Sequence, residues 1–245
     1  MESMNFYNNN YISYWKDKVN DNSSTAPKDD IFVPILKSYL RSASKVLDIG
    51  CCWGRHFETI ANIGCNLFAI DISTDMVIEA KLNASRLGLN PDNILLGNAE
   101  ETLPFNDSTF DVIYCFGVFD CLNQCKSLSE ISRVLKPGGI CMLTGKNNFY
   151  CNDDSEAKLA ELGARSKGEP NFFTDINLLV ETLVDADSEI LEFRSYVRRG
   201  DFAANKFIPK KIDVFYEFFI SFSNSDSLKI QQFSDSIFSP YSLIN

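Results

Sequence analysis

The 245-residue chain is 45% hydrophobic and 23% charged, which is enough apolar sequence for one sizeable core and predicts a single domain over residues 1–245. Its formal net charge of −10 repels a phosphate backbone, so nucleic acid is excluded as an expected partner. With no apolar leader and no membrane-length stretch, we expect a cytoplasmic protein without membrane contact. Eight cysteines without a C-x-x-C pair, beside one histidine, argue against a disulfide framework and a metal site.

The chain begins with a mostly polar segment, residues 1–30, in which aromatic side chains such as Tyr14 and Trp15 recur. A helix is predicted from Asp30 to Arg41, and the aromatic residues ahead of it can anchor the segment to a core. The next element is the short apolar run Val46–Ile49. Three of its four residues are apolar, which predicts a buried strand of a parallel sheet.

A glycine turn follows this strand and is the most informative feature of the sequence. Gly50 and Gly54 lie between the strand and a helical pattern that begins at Arg55. Because glycine has no Cβ, it lets a ligand approach the backbone, while a helix start presents unpaired N–H groups. The spacing Asp-x-Gly-x-x-x-Gly lacks the dinucleotide fingerprint G-x-G-x-x-G, yet it still predicts a cofactor site. The same setting predicts a lowered thiol pKa at Cys51 or Cys52.

Asp71 is the second landmark, because it directly follows the predicted strand Asn66–Ile70. If the two strands are parallel neighbours, this carboxylate lies beside the glycine turn and can accept hydrogen bonds from both hydroxyls of a ribose. The alternative is a helix cap, in which Ser73 or Asp71 caps the helical pattern through Met76–Lys81.

The alternation of strand and helix continues as far as residue 144. A third strand begins at Asn93 and leads into a polar turn, a fourth covers Phe110–Gly117, and a helix covers Leu128–Lys136. Pro137-Gly138-Gly139 is predicted to end this helix, and Ile140–Thr144 is predicted to form the next strand.

Four segments of these strands, turns and helices, taken in chain order, resemble one family, the class I S-adenosylmethionine-dependent methyltransferases. The resemblance is to their small-molecule branch, with a type 11 methyltransferase domain similar to that of the quinone-biosynthesis enzymes. The segments are residues 46–56, 68–73, 97–115 and 130–144. The resemblance implies a Rossmann-like α/β fold with a seven-stranded, mostly parallel sheet, helices on both faces and an antiparallel final strand. It also implies an N-terminal lid over residues 1–30, a cofactor-binding core over 44–145 and substrate-side elements over 146–245.

The resemblance implies that the cofactor is S-adenosylmethionine. It also implies which residues bind this cofactor. The expected binding residues are Asp48, Gly50, Cys51, Cys52, Asp71, Ile72, Asn98, Ala99, Glu100, Cys115 and Phe116. Asp48 and Gly50 are expected along the methionine part of the cofactor, and Asp71 at its ribose. Where this chain has Cys52, the family's loop commonly has a glycine.

The remaining cofactor contacts concern the adenine and the amino group. Ile72 is expected to pack on the adenine, and Asn98 and Ala99 to reach its edge. An amide at position 98 can pair with the adenine amino group or a ring nitrogen. Cys115 and Phe116 are expected at the end of the fourth strand, near the amino group of the cofactor.

The resemblance fades beyond Thr144. Phe172–Leu179 and Glu189–Phe193 look like the family's last helix and sixth strand, and Asp153–Lys167 is a polar, helix-prone insert. Val214–Phe222 is predicted to form the final antiparallel strand. The alternatives for this phenylalanine-rich stretch are an apolar substrate pocket or the face of a homodimer.

The expected partner is a small-molecule methyl acceptor, and the sequence names neither the acceptor nor its reacting atom. A methyl group on a sulfonium is already activated, so orientation and exclusion of water matter most and no catalytic residue is assigned. A hydroxyl acceptor would benefit from a base, for which the candidates are His56, Tyr14, Tyr150 and Asp120. Tyr14 and Tyr150 are also expected to contact the substrate. Two alternatives to an active methyltransferase stay open: a degenerate S-adenosylmethionine-binding regulatory or scaffold protein, and a nicotinamide-dependent oxidoreductase.

Overall fold

The structure, a computed structural model, describes residues 32–147, 159, 163, 172–196, 205–206 and 217–224. The predicted lid over residues 1–30, most of the insert over 153–167, Tyr14 and Tyr150 lie outside the described residues. The chain divides into two compact units, an N-terminal unit (Met1–Ala99) and a C-terminal unit (Glu100–Asn245). The single domain over residues 1–245 stays a prediction.

The N-terminal unit consists of alternating helices and strands. In chain order they are α1 (Phe32–Tyr39), β1 (Lys45–Ile49), α2 (Phe57–Ile63), β2 (Asn66–Asp71), α3 (Thr74–Arg86), a 3₁₀ turn (Pro91–Asn93) and β3 (Ile94–Leu96). The strands pair in parallel in the order β3-β2-β1, with Val46 opposite Leu67 and Ala69 opposite Ile94. Because the last four residues of β1 are all buried, its apolar run is that of a strand covered on both faces.

The C-terminal unit continues with strands of both directions. Its elements are β4 (Phe110–Cys115), a 3₁₀ turn (Phe119–Cys121), α4 (Gln124–Val134), β5 (Leu135–Lys146), α5 (Ile176–Asp185), β6 (Glu189–Tyr196), β7 (Asn205–Lys206) and β8 (Glu217–Ser223). Within this unit the strand order is β4-β5-β8-β6-β7. β4 and β5 are parallel, whereas β8 runs antiparallel to both β5 and β6. The predicted antiparallel final strand is confirmed.

The sequence predicts that Pro-Gly-Gly separates a helix from a strand. In the structure it lies inside a strand instead. Helix α4 already ends at Val134, and strand β5 runs through residues 137–139. The pairing of β5 with β4 shifts at this point, and Gly138 takes a left-handed φ of 70°. Asn224 closes the irregularity, because the N–H of Gly138 donates to its carbonyl at 2.7 Å and its own N–H donates to Gly139 at 2.8 Å. Hydrogen bonds to Asn224, which is far along the chain, thus replace the regular pairing of β5 with β4 at this point.

Two helices of this unit begin at other residues than the apolar pattern predicts. Asn123 caps α4 by accepting a hydrogen bond from the N–H of Lys126, so the helix starts at Gln124 rather than at Leu128. Asp175 caps α5 through its carboxylate, and α5 therefore begins after the first four residues of the predicted helix 172–179. In both cases a polar cap decides the boundary.

The strand directions in the two units confirm the predicted fold class, an open, mostly parallel α/β sheet with antiparallel final strands. Strand β7, with two residues beside β6, has no counterpart in the sequence-based prediction. No helix within the described part of the chain is both long and apolar enough to span a membrane.

Candidate cofactor site

The glycine turn joins the carboxyl ends of β1 and β2. The N–H groups of Gly50 and Cys51 both donate to the carbonyl oxygen of Ile70, at 2.9 and 3.1 Å. The N–H of Gly54 donates to Cys51 at 2.8 Å. Gly50 and Gly54 have φ angles of 75° and 87°, the left-handed region that favours glycine.

The Asp71 carboxylate closes the same turn from the end of β2. Its Oδ2 accepts a hydrogen bond from the N–H of Cys52, and its Oδ1 accepts one from the N–H of Ser73, both at 2.9 Å. Ser73, in turn, caps α3 with its hydroxyl, which accepts from the N–H of Met76 at 3.4 Å. The cap is therefore Ser73, and Asp71 instead connects the turn to β2.

Together these hydrogen bonds occupy the backbone N–H groups of the turn. The N–H groups of Gly50, Cys51, Cys52 and Gly54 all donate within the N-terminal unit. The unpaired N–H groups predicted from the sequence belong to the start of the following helix, not to these four positions of the turn. The turn offers a ligand two features. The glycines leave the backbone open to close approach, and Asp71 provides a carboxylate.

Burial raises the pKa of the Asp71 carboxyl, and the N–H groups of Ser73, Cys52 and Ile72 partly offset this effect. The residue is 8% exposed, so the carboxylate is almost withdrawn from water. A carboxylate has about four lone-pair positions. The N–H groups of Cys52 and Ser73 occupy one on each oxygen, and the N–H of Ile72 also interacts with the carboxylate. The remaining acceptor capacity is available to a ribose hydroxyl.

The Cys51 thiol contradicts the lowered pKa predicted for Cys51 or Cys52, as far as Cys51 is concerned. Burial raises its pKa well above the ordinary value, and the negative charges of Asp48 and Asp71 raise it further. The residue is only 3% exposed, and Asp48 beside it is also buried. The expected effect of the helix start is outweighed, and Cys51 is a protonated, inaccessible thiol.

The adenine-side residues lie directly after β3, in the same unit as Asp71. The N–H of Gly97 donates to the backbone carbonyl of Asp71 at 2.9 Å, which fixes the start of this segment against the end of β2. Asn98 is half-buried, Ala99 is buried, and Ile72 is half-buried just after β2. The N-terminal unit therefore brings the carboxyl ends of its three strands together, as predicted.

Three predicted cofactor residues belong to the C-terminal unit, where the structure shows packing and structural contacts. The Glu100 carboxylate accepts a hydrogen bond from the N–H of Asn123 at 2.6 Å, next to the start of α4. Cys115 is buried at the end of β4. The ring of Phe116 packs against Tyr114 and Phe219, with centroid distances of 5.1 and 6.2 Å.

The glycine turn, β2 with Asp71 at its end, β3 and β4 lie within the part of the chain that matches a known family. Residues 47–143 match the family described as the methyltransferase domain. The predicted family resemblance is thereby confirmed for this part of the chain.

Curated proteins resemble the methyltransferase domain over about a hundred residues. A demethylmenaquinone methyltransferase from Bacillus cytotoxicus is 35% identical over 113 residues, which cover 44% of this chain and 47% of that protein. A ubiquinone biosynthesis O-methyltransferase from Colwellia psychrerythraea is 32% identical over 104 residues, or 42% of each chain. The chain thus spans about half the length of the curated relatives that it matches.

A solved structure extends the similarity in fold beyond this domain. An S-adenosylmethionine-dependent methyltransferase from Methanosarcina mazei superposes with a TM-score of 0.57 at 24% sequence identity. The superposition covers 78% of this chain and 97% of that one. At this identity the likeness shows the fold, and it agrees with the strand directions in both units.

Asn83 contributes to the turn and was missed by sequence reasoning. Its side-chain amide, on α3 of the methyltransferase domain, donates to the carbonyl oxygens of Trp53 and Gly54, at 3.1 Å each. Asn83 lies on the helix face that carries the buried residues Ala80 and Ala84. An amide among small buried residues was the available signal for a backbone contact, because a buried polar group needs a partner.

The described base candidates occupy different settings. His56 is buried and packs edge-on against Phe32, with ring centroids 6.2 Å apart, which is a packing role. Asp120 lies after β4 and forms an ion pair with Lys146 at 2.8 Å. No cluster of three or more His, Cys, Asp or Glu side chains that could hold a metal ion occurs among the described residues.

Replacing Cys52 by glycine is expected to change the free energy of unfolding by less than about 1 kcal/mol. Cys52 has a left-handed φ of 48°, so glycine removes about 1 kcal/mol of strain and adds a similar entropy to the unfolded chain. The affinity for S-adenosylhomocysteine should be unchanged, because the N–H that binds Asp71 remains. Thermal melting and calorimetry test both expectations.

Cys52→Val is the matched comparison for this prediction. A β-branched residue does not tolerate the left-handed region, so this variant should melt clearly below both the wild type and Cys52→Gly. Equal melting temperatures for valine and glycine at position 52 would contradict the backbone conformation of the turn.

Proposed function

We propose that the protein is an S-adenosylmethionine-dependent methyltransferase that acts on a small molecule. The observation that carries the proposal is the Asp71 carboxylate, which is held at the end of β2 beside a glycine turn and keeps acceptor capacity for a ribose hydroxyl. A dinucleotide also contains ribose, but the turn lacks the spacing that cradles a pyrophosphate. The methyltransferase domain over residues 47–143 and its curated relatives support the same activity.

In this proposal the N-terminal unit binds most of the cofactor. Asp71 accepts hydrogen bonds from the ribose hydroxyls. Ile72 packs on the adenine, and Asn98 and Ala99 lie along the edge of the adenine ring. Asp48 and Gly50 lie along the methionine part. The cofactor supplies a methyl group that its sulfonium has already activated, so the chain has to bind, orient and exclude water from the reacting groups.

The methyl acceptor is proposed to be a small molecule rather than a macromolecule. The net charge of −10 disfavours nucleic acid, and the two curated relatives named above carry names from quinone biosynthesis. A contribution of Cys115 and Phe116 to cofactor binding, the lid over residues 1–30, a homodimer and a cytoplasmic location remain predictions.

Calorimetry and methyl transfer test the proposal directly. The full chain should bind S-adenosylmethionine and S-adenosylhomocysteine and should not bind a reduced nicotinamide dinucleotide. With isotope-labelled S-adenosylmethionine and a metabolite extract, it should transfer labelled methyl groups to small molecules. Binding without any transfer would point to the degenerate binding protein, and nicotinamide binding alone would point to the oxidoreductase.

Cofactor affinity should fall as the pH decreases, because the ribose hydroxyls donate to the ionised form of Asp71. Burial raises the pKa of this carboxyl from its ordinary value of 3.8, so the loss should begin at a higher pH than for an exposed aspartate. Below the pKa of the free protein the affinity falls by up to about tenfold per pH unit, since binding then requires loss of a proton. Calorimetry with S-adenosylhomocysteine at decreasing pH measures the slope.

Asp71→Asn is the control for this pH dependence. The amide does not titrate, so the variant should bind weakly with an affinity that changes much less over the same range. Circular dichroism at each pH must show that both proteins remain folded. The same slope in the wild type and the variant would assign the titration to another group.

A further inference from the structure

The glycine turn is held by side chains from two elements of the N-terminal unit. From the end of β2, the Asp71 carboxylate accepts a hydrogen bond from the N–H of Cys52 at 2.9 Å. From α3, the side-chain amide of Asn83 donates to the carbonyl oxygens of Trp53 and Gly54, both at 3.1 Å. The contacted groups belong to three successive residues, so one short stretch of backbone is fixed from both sides.

Asp71 and Asn83 are also connected to each other through α3. The second carboxylate oxygen of Asp71 accepts a hydrogen bond from the N–H of Ser73 at 2.9 Å, and the Ser73 hydroxyl caps the helix. Asn83 lies on the same helix, on the face that carries the buried residues Ala80 and Ala84. The turn, the end of β2 and α3 therefore form a closed circuit of hydrogen bonds, and the Asn83 amide is the link between the helix and the turn.

The backbone conformation of the turn does not follow from local preferences. Gly50, Cys52 and Gly54 have left-handed φ angles of 75°, 48° and 87°. A residue with a Cβ is disfavoured in this region, and a glycine enters and leaves it readily because other conformations are equally open to it. Hydrogen bonds from residues distant in sequence are thus needed to select one conformation of the turn.

We propose that Asn83 is a positioning residue for cofactor binding, which holds the turn in its binding-competent conformation without contacting the cofactor. This inference rests on the proposed methyltransferase function and adds a residue that sets the affinity through preorganisation. If the competent conformation is only partly populated, the apparent affinity falls with the populated fraction. Without the amide, part of the binding free energy is spent on ordering the turn.

This role has a kinetic signature. A ligand that binds only the ordered turn associates more slowly when that conformation is less populated, whereas its dissociation from the ordered complex is unchanged. Loss of a direct contact with the ligand acts mainly on the dissociation rate instead. The two rate constants therefore distinguish a positioning residue from a residue that touches the cofactor.

Two variants of Asn83 test the proposal on the full chain. Asn83→Leu keeps the size of the side chain and removes both N–H donors. It should raise the Kd for S-adenosylhomocysteine about tenfold through a lower association rate. Asn83→Asp keeps the shape but brings carboxylate oxygens towards two carbonyl oxygens, so it should weaken binding at least as much. Calorimetry gives the Kd, and stopped-flow mixing gives the two rate constants.

Trp53 reports on the turn in the absence of any ligand. The chain has two tryptophans, Trp15 and Trp53, so all proteins in the test carry Trp15→Phe and their tryptophan fluorescence comes from Trp53 alone. The Trp53 side chain is half-buried. Acrylamide should quench it more strongly in ligand-free Asn83→Leu than in the Trp15→Phe parent protein, because the turn is less ordered. Saturating S-adenosylhomocysteine should remove the difference.

Ala80→Gly is the matched control on the same face of α3. Ala80 is fully buried, and glycine in a helix interior lowers stability through its greater conformational freedom. The amide of Asn83 stays in place in this variant. It should melt at a lower temperature than the parent protein, yet keep the parent's affinity and Trp53 quenching. Each protein is measured at a temperature at which circular dichroism shows it to be folded.

The outcomes separate this inference from the proposed function. If the parent protein does not bind S-adenosylhomocysteine, the proposed function fails and the positioning role fails with it. If the parent binds and the folded Asn83 variants bind equally well, the positioning role alone is refuted. Faster dissociation with unchanged association would also contradict it, because that result indicates a direct contact. An equal loss of affinity in Ala80→Gly would assign the effect to the stability of α3.

Discussion

Asp71→Ala should weaken the binding of S-adenosylmethionine and of S-adenosylhomocysteine by about 1.5–3 kcal/mol, the value of hydrogen bonds to a charged group. In the structure each carboxylate oxygen accepts a hydrogen bond from a backbone N–H, and the carboxylate keeps acceptor capacity for a ribose hydroxyl. Alanine removes this acceptor capacity. Isothermal calorimetry on the full chain measures the change for each ligand.

The same variant should also be less stable, because the N–H groups of Cys52 and Ser73 lose their acceptor. Each buried donor left without a partner costs about 1–3 kcal/mol, and relief of the buried charge returns part of this. Affinity must therefore be compared under conditions in which circular dichroism shows the variant to be folded.

Two control variants separate affinity from stability and from charge. Ser73→Ala removes the cap of α3 and should cost about 1 kcal/mol of stability without loss of cofactor affinity. Glu79→Ala removes one negative charge from the exposed face of the same helix and should change neither. A folded Asp71→Ala protein that binds both ligands like the wild type would refute the ribose assignment.

Gly54→Ala should be the most destabilising small substitution in the turn, by about 2–5 kcal/mol. Its φ of 87° costs a residue with a Cβ about 1–2 kcal/mol, and a Cβ at this position would overlap the ring of Phe57. Overpacking of a well-packed site typically adds about 1–3 kcal/mol. Phe57 is fully buried at the start of α2, so its ring has little room to move. Denaturant unfolding gives the free energy.

Gly88→Ala is the matched control for this effect. Gly88 has a similar left-handed φ of 73°, but a Cβ there would meet nothing within 4 Å. Its alanine variant should lose only the backbone term, about 1–2 kcal/mol. If the two variants were equally stable, the close approach of Phe57 to the turn would be wrong.

The sequence predicted the unit around the glycine turn well, because its signals are local. Apolar runs identified β1 and β2, and the position of Asp71 at the end of β2 followed from counting residues along the chain. Two interpretations of Asp71 nevertheless stayed open. The choice between them needed the N–H of Cys52, which is nineteen residues away in sequence and close only in the fold.

Chemical environment was the property that local patterns predicted least. A cysteine near a helix start was expected to have a lowered pKa, yet Cys51 is buried beside two carboxylates and its pKa is raised. The path of β5 through the Pro-Gly-Gly sequence was unexpected for the same kind of reason, because its hydrogen-bond partner, Asn224, lies far along the chain.

By itself, the sequence determined the strands around the glycine turn and the position of that turn and of Asp71, since hydrophobic periodicity and glycine spacing act over a few residues. The fold class followed from the resemblance of four segments to a known family. Only the tertiary structure decided that Ser73 rather than Asp71 caps α3, that the N–H groups of the turn are already paired, and that Asp120 meets Lys146. These facts depend on contacts between distant residues and on burial, and both arise only when the chain is folded.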